Sequence, residues 1–244
     1  MNYKKIALIT TIILFFHISN VIAKEQSIPE SFQNHQKIIV VTTEDAPKAH
    51  VYIPKKIIYK KVTKKKKYSE NDILYFTVSG IKFEVFYGQG ASAGGRFTIS
   101  VEKNSHKFKR SIVTEKVYVS NSGNIYTESR YGFSYNKKRK FVIDEKGIME
   151  KKQPFYLLDT QCIVNKTISL MSKRCLDGEV IAVIPKGMFV RVLLVEESSP
   201  NKCNKGNNYL VSTSFGLVGW VCSTPGHGEY GPRPQLGCLT DYGP

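Results

Sequence analysis

Cysteine and histidine are the side chains that would bind a metal or attack a substrate, and their spacing here argues against both roles. The five cysteines, Cys162, Cys175, Cys203, Cys222 and Cys238, fall late in the chain without a C-x-x-C pair, and the five histidines are widely separated. Zinc sites and redox dithiols need closely spaced ligands or thiols. We therefore expect no catalytic residue, no metal and no cofactor.

Two other patterns could support chemistry. Adjacent carboxylates occur at Asp144-Glu145 and Glu196-Glu197, but both pairs lie in predicted turns, where solvated side chains are the usual state. The glycine-rich stretch 88–95 resembles a phosphate loop in composition only, because no Lys-Ser or Lys-Thr follows it. It is expected to be a hairpin connection, and the protein is expected not to be an enzyme.

A dense run of lysines is the clearest candidate for anion binding. Lys64, Lys65, Lys66 and Lys67 close the run 60–67, and their ammonium groups would attract anionic surface polymers. The alternative is a solvated loop, because lysine lacks the planar fork with which arginine grips phosphate. Nucleic acid is not the expected partner, since aromatic residues in strands usually pack against each other.

These residues must be positioned by strands. Short β-branched and aromatic segments alternate with turn residues, and no amphipathic helix is evident. The pattern predicts an all-β fold, with an antiparallel sandwich or curled sheet over residues 37–155. The predicted strands are 38–41, 51–53, 57–59, 73–78, 81–85, 97–101, 116–119, 125–127, 131–135 and 140–143.

The N-terminal residues are typical of an export signal. Lys4 and Lys5 precede an apolar run too short to span a bilayer, and residues 1–23 end in a motif that suits cleavage between Ala23 and Lys24. Residues 24–36 are expected to be a flexible leader. The mature protein is expected to be exported, periplasmic or secreted, without a transmembrane anchor.

The two parts of the chain differ in their balance of basic and acidic side chains. Residues 24–155 hold 26 basic and 13 acidic side chains, whereas residues 156–244 hold 8 and 7. Because all five cysteines lie in the nearly neutral part, we place a domain boundary within residues 156–161.

The second part carries a recognisable order of motifs. Ile184-Pro185-Lys186-Gly187 ends an apolar strand, a valine-rich strand follows, and Gly219-Trp220-Val221 closes the series. This order resembles the bacterial SH3-like domain over about residues 160–225, followed by a Gly/Pro-rich tail, 226–244. The resemblance implies a small β-barrel that binds peptidoglycan or an envelope protein.

The resemblance also implies where a ligand would bind. Loops 173–178 and 196–207 are expected to flank a groove floored by Tyr209, and Trp220 is expected either there or in the core. Two disulfides are expected, and several arrangements stay open on the sequence alone. The barrel alignment favours Cys162 with Cys222, leaving Cys203 with Cys238.

The sequence thus predicts an exported, non-enzymatic bacterial envelope protein with a basic β-domain and a disulfide-bonded SH3-like barrel. Two alternatives stay open. One is a secreted effector or inhibitor that acts through the basic domain, and the other is a cell-wall hydrolase.

Overall fold

The computed structural model describes residues 29–40, 49–66, 69–89, 95–129, 135–174, 178–197, 207–223, 226–227 and 235–241, with only the backbone of 64–66, 69–71 and a few strand ends. The predicted signal peptide and the cleavage site between Ala23 and Lys24 lie outside these residues. No helix within the described ranges is long and apolar enough to span a membrane.

Residues 29–34 form a short unit with one turn of 3-10 helix at Glu30–Phe32. The backbone N–H of Phe32 donates to the carbonyl of Pro29 at 2.7 Å. The first strand starts at His35, so the last two residues of the predicted leader belong to a strand instead.

Eleven strands of the described chain build two sheets in residues 35–151. They are β1 (His35–Val40), β2 (Ala49–Pro54), β3 (Tyr59–Lys66), β4 (Ser69–Val78), β5 (Ile81–Gln89), β6 (Gly95–Lys103), β7 (His106–Val113), β8 (Lys116–Val119), β9 (Ile125–Ser129), β10 (Lys137–Asp144) and β11 (Gly147–Lys151). The first sheet has the order β1-β2-β8-β9-β10-β11, and the second is the meander β3-β4-β5-β6-β7. All neighbours are antiparallel except β2 and β8.

The two sheets share one hydrophobic core. Phe97 and Ile99 of the second sheet are buried in the same cluster as Val117 and Phe141 of the first. Alternation along each strand explains this packing, because successive side chains point to opposite faces. Fully burying such a side chain contributes about 1.5–3 kcal/mol. The prediction of an all-β fold with antiparallel sheets is confirmed, and the basic region is a β-sandwich.

A third sheet begins at Tyr156, at the predicted domain boundary. Its strands are β12 (Tyr156–Ile163), β13 (Ile168–Met171), β14 (Val180–Ile184), β15 (Phe189–Glu196), β16 (Asn207–Thr213) and β17 (Val218–Ser223). The order is β12-β15-β16-β17-β13-β14, with antiparallel neighbours and with β12 and β14 as the two edge strands. Cys162 and Ile184, from the two edge strands, lie in one buried cluster with Val192. The sheet therefore curves around its own core.

The C-terminal segment packs onto this sheet. Gly237 N–H donates to Ile163 O at 2.8 Å, and Leu236 and Leu239 are buried in the cluster of the third sheet. Two short parallel strands, β18 (Gly226–His227) and β19 (Thr240–Asp241), flank it. The described part of the predicted tail is thus part of the fold.

The tail also carries the disulfide. Cys162 of β12 is bonded to Cys238, with Cα atoms 5.1 Å apart, inside the usual range for a disulfide. Both predicted pairs, Cys162 with Cys222 and Cys203 with Cys238, are therefore wrong. The physical reason is that the tail returns along the opening strand β12, which places Cys238 beside Cys162. Cys203 lies outside the described residues.

Candidate binding site

Trp220 occupies the middle of β17, between β16 and β13. Its backbone register partners are Leu210 on one side and Met171 on the other. The preceding Gly219 allows this packing, because a Cβ there would lie 2.7 Å from Leu170 Cγ and 2.8 Å from the carbonyl of Met171. The Trp220 side chain is half-buried, with part of the ring at the surface.

An arginine from the first loop covers the ring of Trp220. The guanidinium carbon of Arg174 lies 4.9 Å from the centre of the Trp220 ring and 5.1 Å from that of Phe155. Its Nη1 donates to Glu196 Oε1 at 2.7 Å. Arg174 is therefore held by two aromatic faces and one carboxylate, which orders the start of the loop.

Beside this stack lies an open groove of about 410 Å³. It is lined by Ser172, Lys173, Arg174 and Trp220. Ser172 also closes the loop base, because its N–H donates to Glu179 O at 2.9 Å and its Oγ accepts from Glu179 N–H at 2.9 Å. The groove combines an aromatic surface, two cations and a hydroxyl. That set suits a ligand with flat apolar faces and carboxylate or other anionic groups.

Tyr209 does not line this groove, so its prediction as a groove residue is wrong. Its side chain is 0% exposed and packs in the core of the third sheet. The register explains the difference, because Tyr209 pairs with Val221 and points inward, whereas the next residue, Leu210, pairs with Trp220. Adjacent residues of a strand face opposite sides.

The structure describes only part of the two predicted loops. Residues 173–174 and 178 of the first loop are described, and Lys173 and Arg174 lie at the groove. In the second loop, Glu196 binds Arg174, while Glu197 accepts hydrogen bonds at 2.5 Å from Tyr135 Oη and from Lys137 Nζ. Glu196 therefore ends strand β15 instead of lying in a turn, and Glu197 is exposed as expected but is also paired.

The predicted lysine patch belongs to the sandwich and is distant in sequence from the groove residues. Lys64, Lys65 and Lys66 belong to β3, the edge strand of the second sheet, and Lys67 lies outside the described residues. The segment is a strand rather than the solvated loop considered from the sequence. Lysine on an edge strand disfavours pairing with other edges.

Within the described residues, no group of three or more His, Cys, Asp or Glu side chains is arranged to hold a metal ion. Comparison with protein-family models, with curated proteins and with solved structures found no match for this chain.

Proposed function

We propose that this is an exported, non-enzymatic bacterial envelope protein whose third sheet is an SH3-like domain that binds peptidoglycan. The observation that carries the proposal is the surface groove in which Trp220 and Arg174 stack beside Lys173. The small curved sheet, the tight turn at Gly187 with a φ of +89°, and the disulfide also support it.

The chemistry of peptidoglycan matches this groove. Sugar rings present apolar faces that pack on an indole, and the stem peptides carry carboxylates that pair with lysine and arginine. The Arg174 guanidinium is already stacked and paired with Glu196, so it fixes the aromatic surface. Lys173 is exposed and is the cation we assign to the ligand carboxylate.

Co-sedimentation of the mature protein with purified sacculi tests the proposal. Trp220→Ala should weaken binding by about thirtyfold, as expected for an aromatic anchor worth about 2 kcal/mol. Lys173→Gln should weaken binding and flatten its salt dependence. The matched control is Lys166→Gln, since Lys166 is exposed in the β12–β13 connection, away from the groove.

Each outcome has a meaning. Trp220→Phe keeps an aromatic ring at this position and should stay folded. Weaker sacculus binding by this folded variant would be a loss of binding and not of structure. A folded Trp220→Ala protein that still binds sacculi fully would contradict the proposal. Capture of one envelope protein in place of sacculi would shift the ligand to a protein partner, and release of soluble muropeptides would support a hydrolase.

One observation favours the alternative of a secreted effector or inhibitor. Residues 59–113, which form the second sheet, hold twelve Lys and Arg against four Asp and Glu. Such a surface attracts acidic partners electrostatically. Activity of a sandwich-only fragment on a target molecule, with the groove variants fully active, would support that alternative.

A further inference from the structure

The connection between β2 and β3 exposes an isoleucine between two pairs of lysines. The sequence of residues 55–61 is KKIIYKK, here called the KKIIYKK segment. The Ile58 side chain is 91% exposed and that of Tyr59 is 39% exposed, while Lys55, Lys56 and Lys60 are also exposed. An isoleucine this exposed contributes no hydrophobic free energy to folding.

The fold holds Ile58 in this position. Its neighbour Ile57 packs against the core of the sandwich, and the N–H of Ile57 donates to Pro54 O at 2.9 Å. The Ile57 carbonyl accepts from Gln36 Nε2 at 2.6 Å. Ile57 packs against the core, and both its N–H and its carbonyl are hydrogen-bonded, so Ile58 must point outward. The exposure of Ile58 therefore follows from the backbone conformation of this turn.

The cations of the segment differ in their partners. Lys61 Nζ lies 2.6 Å from Asp72 Oδ2, which neutralises it. In the described part of the chain, Lys55, Lys56 and Lys60 make no ion pair. Within the described residues, three ammonium groups without an ion pair therefore lie beside the apolar tip.

A shallow groove of about 590 Å³ continues from the tip across the second sheet. Its lining includes Lys56, Ile58, Tyr59, Lys60, Tyr75 and Lys82. Lys82 is paired with Glu102 at 2.8 Å. The surrounding sheet is strongly basic, as its twelve cations against four carboxylates show. The apolar tip thus lies within a positive field.

We infer that the KKIIYKK segment docks the sandwich on an anionic lipid surface. Ile58 would enter the boundary between headgroups and acyl chains, and Tyr59 would lie at the headgroup level, where tyrosine is enriched. Lys55, Lys56 and Lys60 would contact the lipid phosphates. A soluble polyanion would use the lysines alone and leave Ile58 in water, so the exposed apolar tip favours a bilayer.

Vesicle co-sedimentation of the full mature chain tests this inference. The probe is phosphatidylcholine vesicles with about one third phosphatidylglycerol, compared with pure phosphatidylcholine. Wild-type protein should bind only the anionic vesicles. Ile58→Ser should weaken binding about tenfold, and Lys56→Gln with Lys60→Gln should weaken it about fivefold per charge. None of these exposed side chains is part of the core.

The chain offers matched controls. Phe215 is 89% exposed at the β16–β17 turn without lysine neighbours, so Phe215→Ser should leave vesicle binding unchanged. Lys166→Gln with Lys186→Gln removes two exposed charges elsewhere and should also leave it unchanged. The inference does not depend on the proposed groove, because Trp220 variants should bind vesicles normally.

Three results would overturn the inference. The first is wild-type protein that stays in solution with anionic vesicles. The second is Ile58→Ser protein that binds as tightly as wild type, which would indicate a purely electrostatic contact with a polyanion. The third is equal loss with the Phe215 or Lys166 and Lys186 controls, which would indicate non-specific adsorption.

Discussion

Tyr209 is a large side chain wholly inside the third sheet, and its removal would leave a cavity. Tyr209→Ala should lower the free energy of unfolding by about 3–5 kcal/mol. The matched control is Phe215→Ala, an exposed aromatic in the turn between β16 and β17, which should change the free energy of unfolding by about 0.5 kcal/mol or less. Urea unfolding of both variants checks this. Equal stability of the Tyr209 variant and wild type would contradict the buried position.

The sequence could not show that Tyr209 is buried and that Trp220 lines the groove, because both strands are apolar on both faces. Tyr209 and Val211 point inward, but Leu210 between them is also apolar. Alternation therefore marks a strand without marking its buried side. The side is decided by the register, in which Leu210 pairs with Trp220, and by Arg174, which reaches the ring from a loop.

Tyr135 gives the protein a pH-dependent stability. Burial, then the hydrogen bond and charge of Glu197, raise the pKa of Tyr135 above its ordinary value of 10.0. The folded hydroxyl stays protonated at pH values where an unfolded tyrosine ionises. Its stabilisation is complete below about pH 10 and is lost as the pH rises further, at about 1.4 kcal/mol per pH unit.

Urea unfolding over about pH 9 to 11 measures this loss. Tyr135→Phe removes the ionisable hydroxyl, so the stability of the variant should fall less steeply with pH than that of wild type. Every other side chain is the same in both proteins, so the comparison isolates the hydroxyl of Tyr135. Parallel pH profiles for the two proteins would show that Tyr135 ionises in the folded state.

At the scale of elements, β13 and β17 approach closely only because residue 219 lacks a side chain. The backbone carbonyl of Met171 cannot move away as a side chain would. Gly219→Ala should therefore lower the free energy of unfolding by about 1–3 kcal/mol and should disturb the Trp220 groove. Ser169→Ala, at an exposed residue of β13, is the control. Unchanged urea unfolding and sacculus binding would show that the strands can separate at no cost.

Strand prediction succeeded for most segments rich in β-branched and aromatic residues and failed where lysine dominates. The predicted strand 57–59 is wrong at Ile57 and Ile58, which lie in the connection before β3. β3 runs through the lysine cluster, and β7 contains Lys107, Lys109 and Arg110 between its apolar residues. Both are edges of the second sheet, where only one neighbour and one buried face constrain the sequence. An edge strand tolerates charge, so its pattern resembles a loop.

At the scale of the whole molecule, the sandwich and the third sheet have separate cores, and the segment before β10 links them through Tyr135, which is buried in the cluster of the third sheet. Glu197, which follows β15, accepts hydrogen bonds from Tyr135, which precedes β10, and from Lys137, which begins it. The Lys137 Nζ also lies 4.9 Å from the centre of the Tyr156 ring. Lys137 is only 8% exposed, whereas Glu197 is at the surface, so the ion pair is buried on the lysine side alone.

The Cys162–Cys238 disulfide fixes the C-terminal segment to the third sheet, and it should matter there alone. The bond closes a loop with a sequence separation of 76, so its loss should lower the free energy of unfolding by about 4–5 kcal/mol in the chain-entropy model. Cys162→Ala with Cys238→Ala should therefore expose the third sheet to limited proteolysis. The sandwich should stay protected, because its core contains no residue of the third sheet or the tail. Mass spectrometry of the fragments checks this, and Ser169→Ala, which keeps the disulfide, is the control. Simultaneous digestion of both parts would show that the two cores unfold as one.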